Sequence, residues 1–298
     1  MCESSIQPKE NYCVCNFSGG KDSSALLLLM IERDMPIDLV IFADTGMDFP
    51  EITEHIQKMD EHLFRERGIH ITKLKAAHSF EWFMFDCPLV KPDAIQRRAD
   101  RGLPPYGNGW PGIRVRWCTG QLKTHLIRKE VNRLKAEKNA QHFIGIAADE
   151  AWRCKGEHYP LVEWGITEAD ALKVCYDRGF DFGGIYRLHR RVSCWCCPFQ
   201  SISALRELRQ HHPELWARLL DMDNRARAQF GPTPLGQFRK DWSVERLDER
   251  FAREEAEEKK SRHAEAGQNS CVTAGSGFTA IGGQVAACSS EAVNPKTE

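Results

Sequence analysis

The stretch that decides the fold is residues 12–24, which read Tyr-Cys-Val-Cys-Asn-Phe-Ser-Gly-Gly-Lys-Asp-Ser-Ser. Tyr12–Phe17 is a short apolar run and predicts a buried strand, while the Leu-rich Ser23–Arg33 predicts a helix. The two glycines between them let the backbone turn tightly with its N–H groups pointing inward. A helix that begins at such a turn favours anions, and Lys21 adds a full positive charge. The stretch therefore predicts a phosphate-binding loop.

Further along the chain, strand and helix patterns alternate, and this order is typical of a parallel α/β sheet. The predicted strands are Asp38–Ala43, Ile69–Leu74 and His142–Ala147, and the predicted helices are Glu51–Arg67 and Leu122–Lys138.

Composition narrows the function classes. The 298 residues carry a net charge of -1, which argues against a strongly basic nucleic-acid binder but leaves local basic patches open. The longest apolar run, Ala25–Ile31, is far shorter than a membrane span, so we expect no contact with a membrane. Met1–Glu10 has no signal-peptide pattern, so we expect a cytoplasmic protein. In a reducing compartment the 12 cysteines are metal ligands, catalytic thiols or buried residues more often than disulfides.

Four regions are expected. Residues 1–155 form the α/β nucleotide-binding domain, and the Trp-, Cys- and Arg-rich residues 156–241 form a smaller unit that binds a substrate or a cluster. Residues 242–263 form a charged helix, and the Ala-, Gly- and Ser-rich residues 264–298 are disordered. Within the first domain, Lys91–Arg116 is expected to be a long loop or lid.

The phosphate loop departs from the Walker A pattern, because Cys15 and Asp22 stand where that pattern needs Gly and Ser/Thr. It resembles instead the loop of the N-type ATP pyrophosphatases, the PP-loop superfamily. The resemblance implies a Rossmann-like fold of the adenine nucleotide alpha hydrolase type, with ATP and Mg²⁺ bound. It also implies cleavage between the α and β phosphates of ATP, which activates a substrate as an adenylate. The residues it assigns to ATP are Ser18, Gly19, Gly20, Lys21, Asp22, Ser23, Asp44 and Thr45.

Three later blocks extend the likeness. The stretch Phe42–Glu51 is similar to the phosphoadenosine-phosphosulfate (PAPS) reductase family, and Asp44 and Asp48 in it could position Mg²⁺ or ribose or could simply cap the loop. Gly145–Arg153 and Tyr159–Trp164 are similar to later blocks of that family, so the likeness covers Asn11–Gln200. The catalytic candidates that result are Lys21, Asp44 and Arg153.

The cysteines predict a metal site. Cys194 and Cys197 form a C-x-x-C pair, whose spacing lets two thiolates bind one metal or cluster. Cys118 stands where the family's cluster-containing reductases carry a cysteine pair. Cys175 is the first choice for a fourth ligand, ahead of Cys196 and Cys154. The prediction is a [4Fe–4S] cluster held by Cys118, Cys175, Cys194 and Cys197, with zinc or unligated thiols as alternatives.

The favoured function is ATP-dependent adenylation followed by sulfur transfer from an unspecified sulfur donor. A nucleic acid, RNA or DNA, could be the acceptor, because basic residues cluster near Tyr106 and Trp110 and around the C-x-x-C pair. Alternatively, these residues bind the nucleotide's own phosphates or are solvated. They are Arg97, Arg98, Arg101, Arg114, Arg116, His189, Arg190, Arg191, Arg206 and Arg209.

Two other functions stay open. The first is a reductase of PAPS or adenylylsulfate, although Cys271 and Cys288 lack the Glu-Cys-Gly-Leu-His context of those enzymes. The second is a non-catalytic protein that binds a nucleotide or a nucleic acid.

Overall fold

A computed structural model describes residues 11–273, with side chains described as far as Arg262. The predicted α/β class is confirmed: four strands form one parallel sheet in the order β3-β2-β1-β4, which is a Rossmann-like arrangement. In the register of the sheet, Val14 on β1 lies opposite both Leu39 on β2 and His142 on β4. The strands are β1 (Asn11–Phe17), β2 (Leu39–Asp44), β3 (Ile71–Lys75) and β4 (Asn139–Ile144).

Helices connect and flank the strands. The first six are α1 (Lys21–Glu32), α2 (Pro50–Arg67), α3 (Phe80–Phe85), α4 (Pro92–Ala99), α5 (Trp117–Thr119) and α6 (His125–Glu137), the last two being joined by a π-helical turn at Gly120–Thr124. The others are α7 (Pro160–Glu163), α8 (Glu168–Asp177), α9 (Ile185–Leu188), α10 (Ile202–His211), α11 (Pro213–Phe230) and α12 (Val244–Thr273).

The core lies around β1 and α1. Val14 and Cys15 are completely buried, and α1 is buried along Ser23–Met30 because it packs against both the sheet and α8. A helix that is apolar on all sides needs such cover, since each large apolar side chain contributes about 1.5–3 kcal/mol when buried. The start of α1 is therefore held rigidly at the end of β1.

Because all four strands are parallel, their carboxyl ends meet at one edge of the sheet, where the loops after β1, β2 and β4 converge. The strand order reverses between β1 and β4, which is where ligands bind in folds of this class. Gly145 follows β4 there, and a Cβ on it would lie 2.8 Å from the carbonyl oxygen of Asp22. This close approach takes the chain out of the sheet after Ile144, so the predicted strand end at Ala147 is wrong.

The predicted long loop or lid at Lys91–Arg116 contains the helix α4. Pro92 occupies the first turn of this helix, Asp93 follows it, and Arg97 and Arg98 lie in the last turn. These residues complement the helix dipole and start the helix despite its lack of a buried face.

The described residues up to Asp248 belong to one compact unit, and the rest of α12, from Glu249, belongs to a second unit. The boundary near residue 155 stays a prediction. Most of the predicted disordered tail, residues 274–298, lies outside the described residues, as do the side chains of Cys2, Cys271 and Cys288. Among the helices described, none combines the length and apolar character required to cross a membrane.

Candidate active site

The phosphate loop turns at Gly19, whose φ of +75° lies in the left-handed region that favours glycine. A Cβ there would also lie 2.9 Å from Cγ2 of Ile52 on α2. Both constraints explain the glycine, and they place the loop between β1 and the first turn of α2.

Two serines fix the shape of the loop. The Ser18 N–H donates to Oγ of Ser23 at 3.1 Å, and the two hydroxyls lie 3.0 Å apart. The Ser23 hydroxyl also lies 3.0 Å from the Gly20 carbonyl, to which it can donate. The predicted residues Ser18, Gly20 and Ser23 therefore form one hydrogen-bonded turn.

Lys21 lies inside this site with only 7% of its surface exposed. Its Nζ lies 2.8 Å from Oδ1 of Asp22 and 3.3 Å from Oε1 of Glu168 at the start of α8. Burial raises the pKa of Asp22, and Glu168 and Glu150 raise it further, while Lys21 opposes the rise. The ammonium group is thus held by acids at the position where the loop motif predicts phosphate. Glu168 was missed at the sequence level, since it is 147 positions from Lys21 and carries no motif of its own.

Tyr186 was missed as well, although it contacts the loop directly. Its hydroxyl accepts a hydrogen bond of 2.9 Å from the Lys21 N–H, a donor that a phosphate-binding loop presents to its ligand. Tyr186 lies on α9, after three successive residues with positive φ, Phe182–Gly184. The pair Gly183-Gly184 was the signal that marks this turn in the sequence.

Behind the loop, Ser24 and His55 form a buried pair. Oγ of Ser24 and Nε2 of His55 lie 2.8 Å apart, and the imidazole stacks on Phe182 with ring centroids 4.0 Å apart. Burial lowers the pKa of His55 to about 4, so its ring is neutral at physiological pH.

At the end of β2, Asp44 caps the following turn. Its Oδ1 accepts from the Gly46 N–H at 2.9 Å, and its Oδ2 lies 3.0 Å from Nζ of Lys75. Both carboxylate oxygens therefore have partners within the chain, and one of them caps the turn. Its neighbour Thr45 is buried, and the Thr45 hydroxyl lies 3.3 Å from Oδ2 of Asp48.

The C-x-x-C pair packs on this same turn. Oγ1 of Thr45 lies 3.8 Å from Sγ of Cys194, and the Trp195 N–H donates to the Met47 carbonyl at 3.0 Å. The buried side-chain amide of Gln200 donates to the carbonyls of Cys194 and Trp195 at 2.9 and 2.8 Å. Gln200 thus holds the cysteine turn closed.

The structure brings three of the four predicted metal ligands together around Lys123. Burial acts to lower the pKa of Lys123, but Cys194, Asp48, Cys118 and Cys197 outweigh it and raise that pKa. Burial raises the pKa of the Cys194 thiol to about 11, although Lys123 opposes the rise. Lys123 is thus a cation among thiols and a carboxyl group, and it too was missed at the sequence level.

Cys175 does not join this group. It is completely buried on α8, where its Sγ lies 3.5 Å from the Lys21 carbonyl, and the charged neighbours of its thiol are Asp22, Arg178 and Lys21. Its choice as the fourth ligand stays a prediction, although the apolar positions of α8 bury the thiol against α1. Of the two weaker candidates, Cys196 is buried beside the other three thiols, and Cys154 lies in the turn after β4. Among the described side chains, no group of three or more His, Cys, Asp or Glu residues is arranged to hold a metal ion.

The predicted catalytic Arg153 is exposed and lies in the 3₁₀ turn Ala148–Arg153. It forms an ion pair with Glu150, whose other oxygen lies 2.5 Å from Nη2 of Arg191. Arg191 in turn lies 3.9 Å from Glu168, which pairs with Lys21. A chain of alternating charges therefore joins Arg153 to Lys21.

Several residues predicted for nucleic-acid contact are structural. Trp110 is 2% exposed, and its Nε1–H donates to Asp223, so it cannot stack on a base. His189 is buried against Phe49, and the Arg98 guanidinium donates to the Pro104 and Gly107 carbonyls. The clustering of basic residues near aromatic ones did not distinguish these buried positions from surface ones. Exposed positions in the predicted set are Arg97, Arg101, Tyr106, Arg114, Arg116, Arg190 and Arg191.

Comparison with known proteins gives a family for the first part of the chain. Residues 12–89 match the phosphoadenosine phosphosulfate reductase domain. This match includes the phosphate loop and the Asp44–Asp48 turn, and it stops short of the cysteine site.

Longer alignments connect the chain to three uncharacterized proteins. Two proteins of Methanocaldococcus jannaschii are 23% and 21% identical over 68% and 72% of this chain, which spans 39% and 48% of their lengths. A 37.8 kDa protein of Escherichia phage 186 is 24% identical over 75% of this chain and 78% of its own. Among solved structures, the U34-tRNA thiolase NcsA from Methanococcus maripaludis with its [4Fe-4S] cluster is 14% identical with a TM-score of 0.33. That alignment covers 76% of this chain and 75% of the thiolase.

Proposed function

Because residues 12–89 form a PAPS reductase-like domain of the PP-loop superfamily, we propose that the chain is an ATP-dependent adenylating sulfurtransferase. One observation carries the proposal: the phosphate loop after β1 and the thiols of Cys118, Cys194 and Cys197 lie at the same edge of the sheet. The link is the turn after β2, where Thr45 contacts Cys194. An activating centre and a sulfur-handling centre are thereby adjacent.

The first step uses the phosphate loop. An oxygen of the acceptor attacks the α-phosphorus of ATP, the bond between the α-phosphorus and its bridging oxygen breaks, and pyrophosphate leaves. The Lys21 ammonium and the loop N–H groups stabilise the charge on the leaving pyrophosphate. Mg²⁺ suits this position, because Asp22 and Glu168 beside Lys21 offer the oxygen ligands that the ion prefers.

The second step uses the cysteine site. A sulfur nucleophile displaces AMP from the activated acceptor, so that a bond to sulfur replaces the bond to oxygen. Soft thiolate donors suit an iron–sulfur cluster, so Cys118, Cys194 and Cys197 would hold it, although the described side chains are not arranged around a metal ion. A cluster bound there would supply a site for the sulfur that is transferred. Lys123 stabilises negative charge on the thiolates, and Gln200 keeps Cys194 and Cys197 in one turn.

The test for the phosphate loop is Lys21→Ala in the full chain. We expect ATP turnover, measured as pyrophosphate release, to fall about 100-fold or more, because the residue neutralises the leaving group. Lys129→Ala is the matched control, since that lysine is exposed on α6. Unchanged pyrophosphate release in Lys21→Ala would remove the loop from the mechanism.

The test for the cysteine site is the iron and acid-labile sulfide content after anaerobic purification. Cys118→Ser, Cys194→Ser and Cys197→Ser should each lose the iron, whereas Cys175→Ala should keep it because Cys175 contacts α1 instead. Loss of iron in Cys175→Ala as well as in the other three variants would restore the four-ligand prediction. One zinc and no iron in the parent chain would make the cysteine site structural.

A second candidate function is supported by the family match itself: a reductase acting on PAPS or adenylylsulfate. Sulfite production from either compound with a dithiol reductant, without ATP, would establish it. ATP binding with no pyrophosphate release and no sulfite would point to the non-catalytic alternative.

A further inference from the structure

A groove next to the cysteine site is not used by the steps above. Its walls are the segment before Cys118, residues 110–115, and the segment after Cys197, residues 198–202. Residues 234–242 close it on the third side. Its walls therefore lie next to Cys118 and Cys197 along the chain.

The groove is rich in positive charge. Arg114, Arg239 and Lys240 line it, against one acidic lining residue, Asp241. Arg114 and Lys240 are exposed, and neither forms an ion pair within residues 11–262. A polyanion is therefore the occupant that matches its charge.

Its surface also offers apolar and aromatic contact. Phe199 is 39% exposed, and the Arg116 guanidinium lies over its ring at 4.6 Å from the centroid. Ile113 and Val115 are 82% and 63% exposed, on either side of Arg114. Exposed apolar side chains among cations suit a ligand that carries both charge and flat apolar faces.

The exposed Ile113 is displayed by a tight turn. The Gly112 N–H donates to the Val115 carbonyl at 3.2 Å, and the Val115 N–H donates back at 3.1 Å. These two hydrogen bonds place Ile113 and Arg114 at the tip. Apolar side chains at such a tip can contact the faces of unpaired bases, while a flanking cation contacts phosphate.

We propose that this groove binds a single-stranded segment of nucleic acid and presents it to the thiols as the sulfur acceptor. A duplex shows only base edges and backbone, whereas an unpaired strand shows base faces that Phe199 and Ile113 can contact. Arg114 and Lys240 bind its phosphates. The acceptor role rests on the proposed function, but binding to the groove does not.

The test measures binding of fluorescein-labelled 20-nucleotide RNA and DNA single strands, and of the corresponding duplexes, to the full chain by anisotropy between 50 and 200 mM salt. We expect single strands to bind more tightly than duplexes. The negative slope of log K against log salt concentration should become shallower by about 0.7 in R114A and in K240A, because each variant removes one phosphate contact. Phe199→Ala should weaken binding about tenfold with the slope unchanged, because it removes stacking and not charge.

Matched controls lie on α2, away from the groove. Lys58 and Arg65 are exposed there, and Phe64 is 52% exposed. K58A, R65A and F64A should leave affinity and slope unchanged, and all six variants alter exposed side chains, so circular dichroism should show the parent fold. Equal effects of groove and control variants would overturn the inference, as would equal competition by polyglutamate, which has the charge but no bases.

Failure of the two proposals is distinguishable. If the chain binds single strands through these residues but never releases pyrophosphate, the groove proposal stands and the proposed function is wrong. If the chain releases pyrophosphate but the groove variants bind every probe like the parent, the proposed function stands and the groove proposal is wrong.

Discussion

The phosphate loop and the cysteine site lie at one edge of the same sheet, but they are assembled differently. The loop is closed by contacts between near neighbours, such as Ser18 with Ser23, five positions apart. The cysteine site joins distant segments, and Thr45 and Cys194 are 149 positions apart. The geometry of a local motif can be predicted from its own residues. The geometry of a site built from distant segments depends on how the whole chain folds.

The largest expected effect tests whether the phosphate loop depends on a residue outside its motif, His55. His55 contacts Ser24 from α2, and its pKa of about 4 lies below the value of about 6.5 in an unfolded chain. As the pH falls from 6.5 towards 4, the unfolded state binds a proton that the folded state does not, so stability falls in that window and is fully present above it. The two pKa values correspond to about 3 kcal/mol.

The measurement is the free energy of unfolding by urea at pH 7.5 and pH 4.5, for the parent chain and for His55→Gln. We expect the variant to lose less stability between these two pH values, since glutamine has no proton to gain. His125→Gln alters an exposed histidine on α6 and should behave like the parent. Identical pH dependence in all three chains would show that His55 does not control the stability of the loop region.

A smaller effect tests the cysteine site, because its turn is also held by a residue close in sequence, Gln200. Gln200→Leu removes the donor to two carbonyls, and leaving such groups unpaired costs about 2 kcal/mol. Stability should fall by that amount, and Cys194 and Cys197 should react faster with a thiol reagent. Gln96→Leu, at an exposed position on α4, should change neither. Unaltered thiol reactivity in Gln200→Leu would show that distant contacts alone hold the turn.

The same contrast explains which parts of the fold and of the site could be predicted from the sequence. The strand–glycine–helix pattern around Gly19 predicted the sheet and the loop, because periodicity and turn chemistry are local properties. Thiols are few and chemically distinctive, so Cys118, Cys194 and Cys197 could be selected as candidates. Their choice as ligands is untested by the fold itself, but the structure brings these three together.

The supporting residues could not be found in that way. Lys123, Glu168 and Gln200 belong to abundant polar types, and only the packed structure shows what they face. Cys175 illustrates the ambiguity of a chemically suitable residue: its thiol matches the expected chemistry, but α8 buries it in the core. Trp110 was wrongly chosen for base stacking, because burial and function select the same residue types.

The smallest effect concerns Tyr186, which is distant in sequence but contacts the phosphate loop. The Tyr186 hydroxyl accepts the Lys21 N–H, so a phosphate oxygen that uses this donor must first displace it. In Tyr186→Phe the N–H has no such partner, and ATP should bind about fivefold more tightly, as expected for one hydrogen bond of about 1 kcal/mol. Calorimetry with a non-hydrolysable ATP analogue measures this change, with Tyr176→Phe on α8 as the control because that side chain is 39% exposed. Weaker binding in Tyr186→Phe would mean that the hydroxyl is part of the nucleotide site and not a substitute for its ligand, and the loop would then depend on distant residues as much as the cysteine site does.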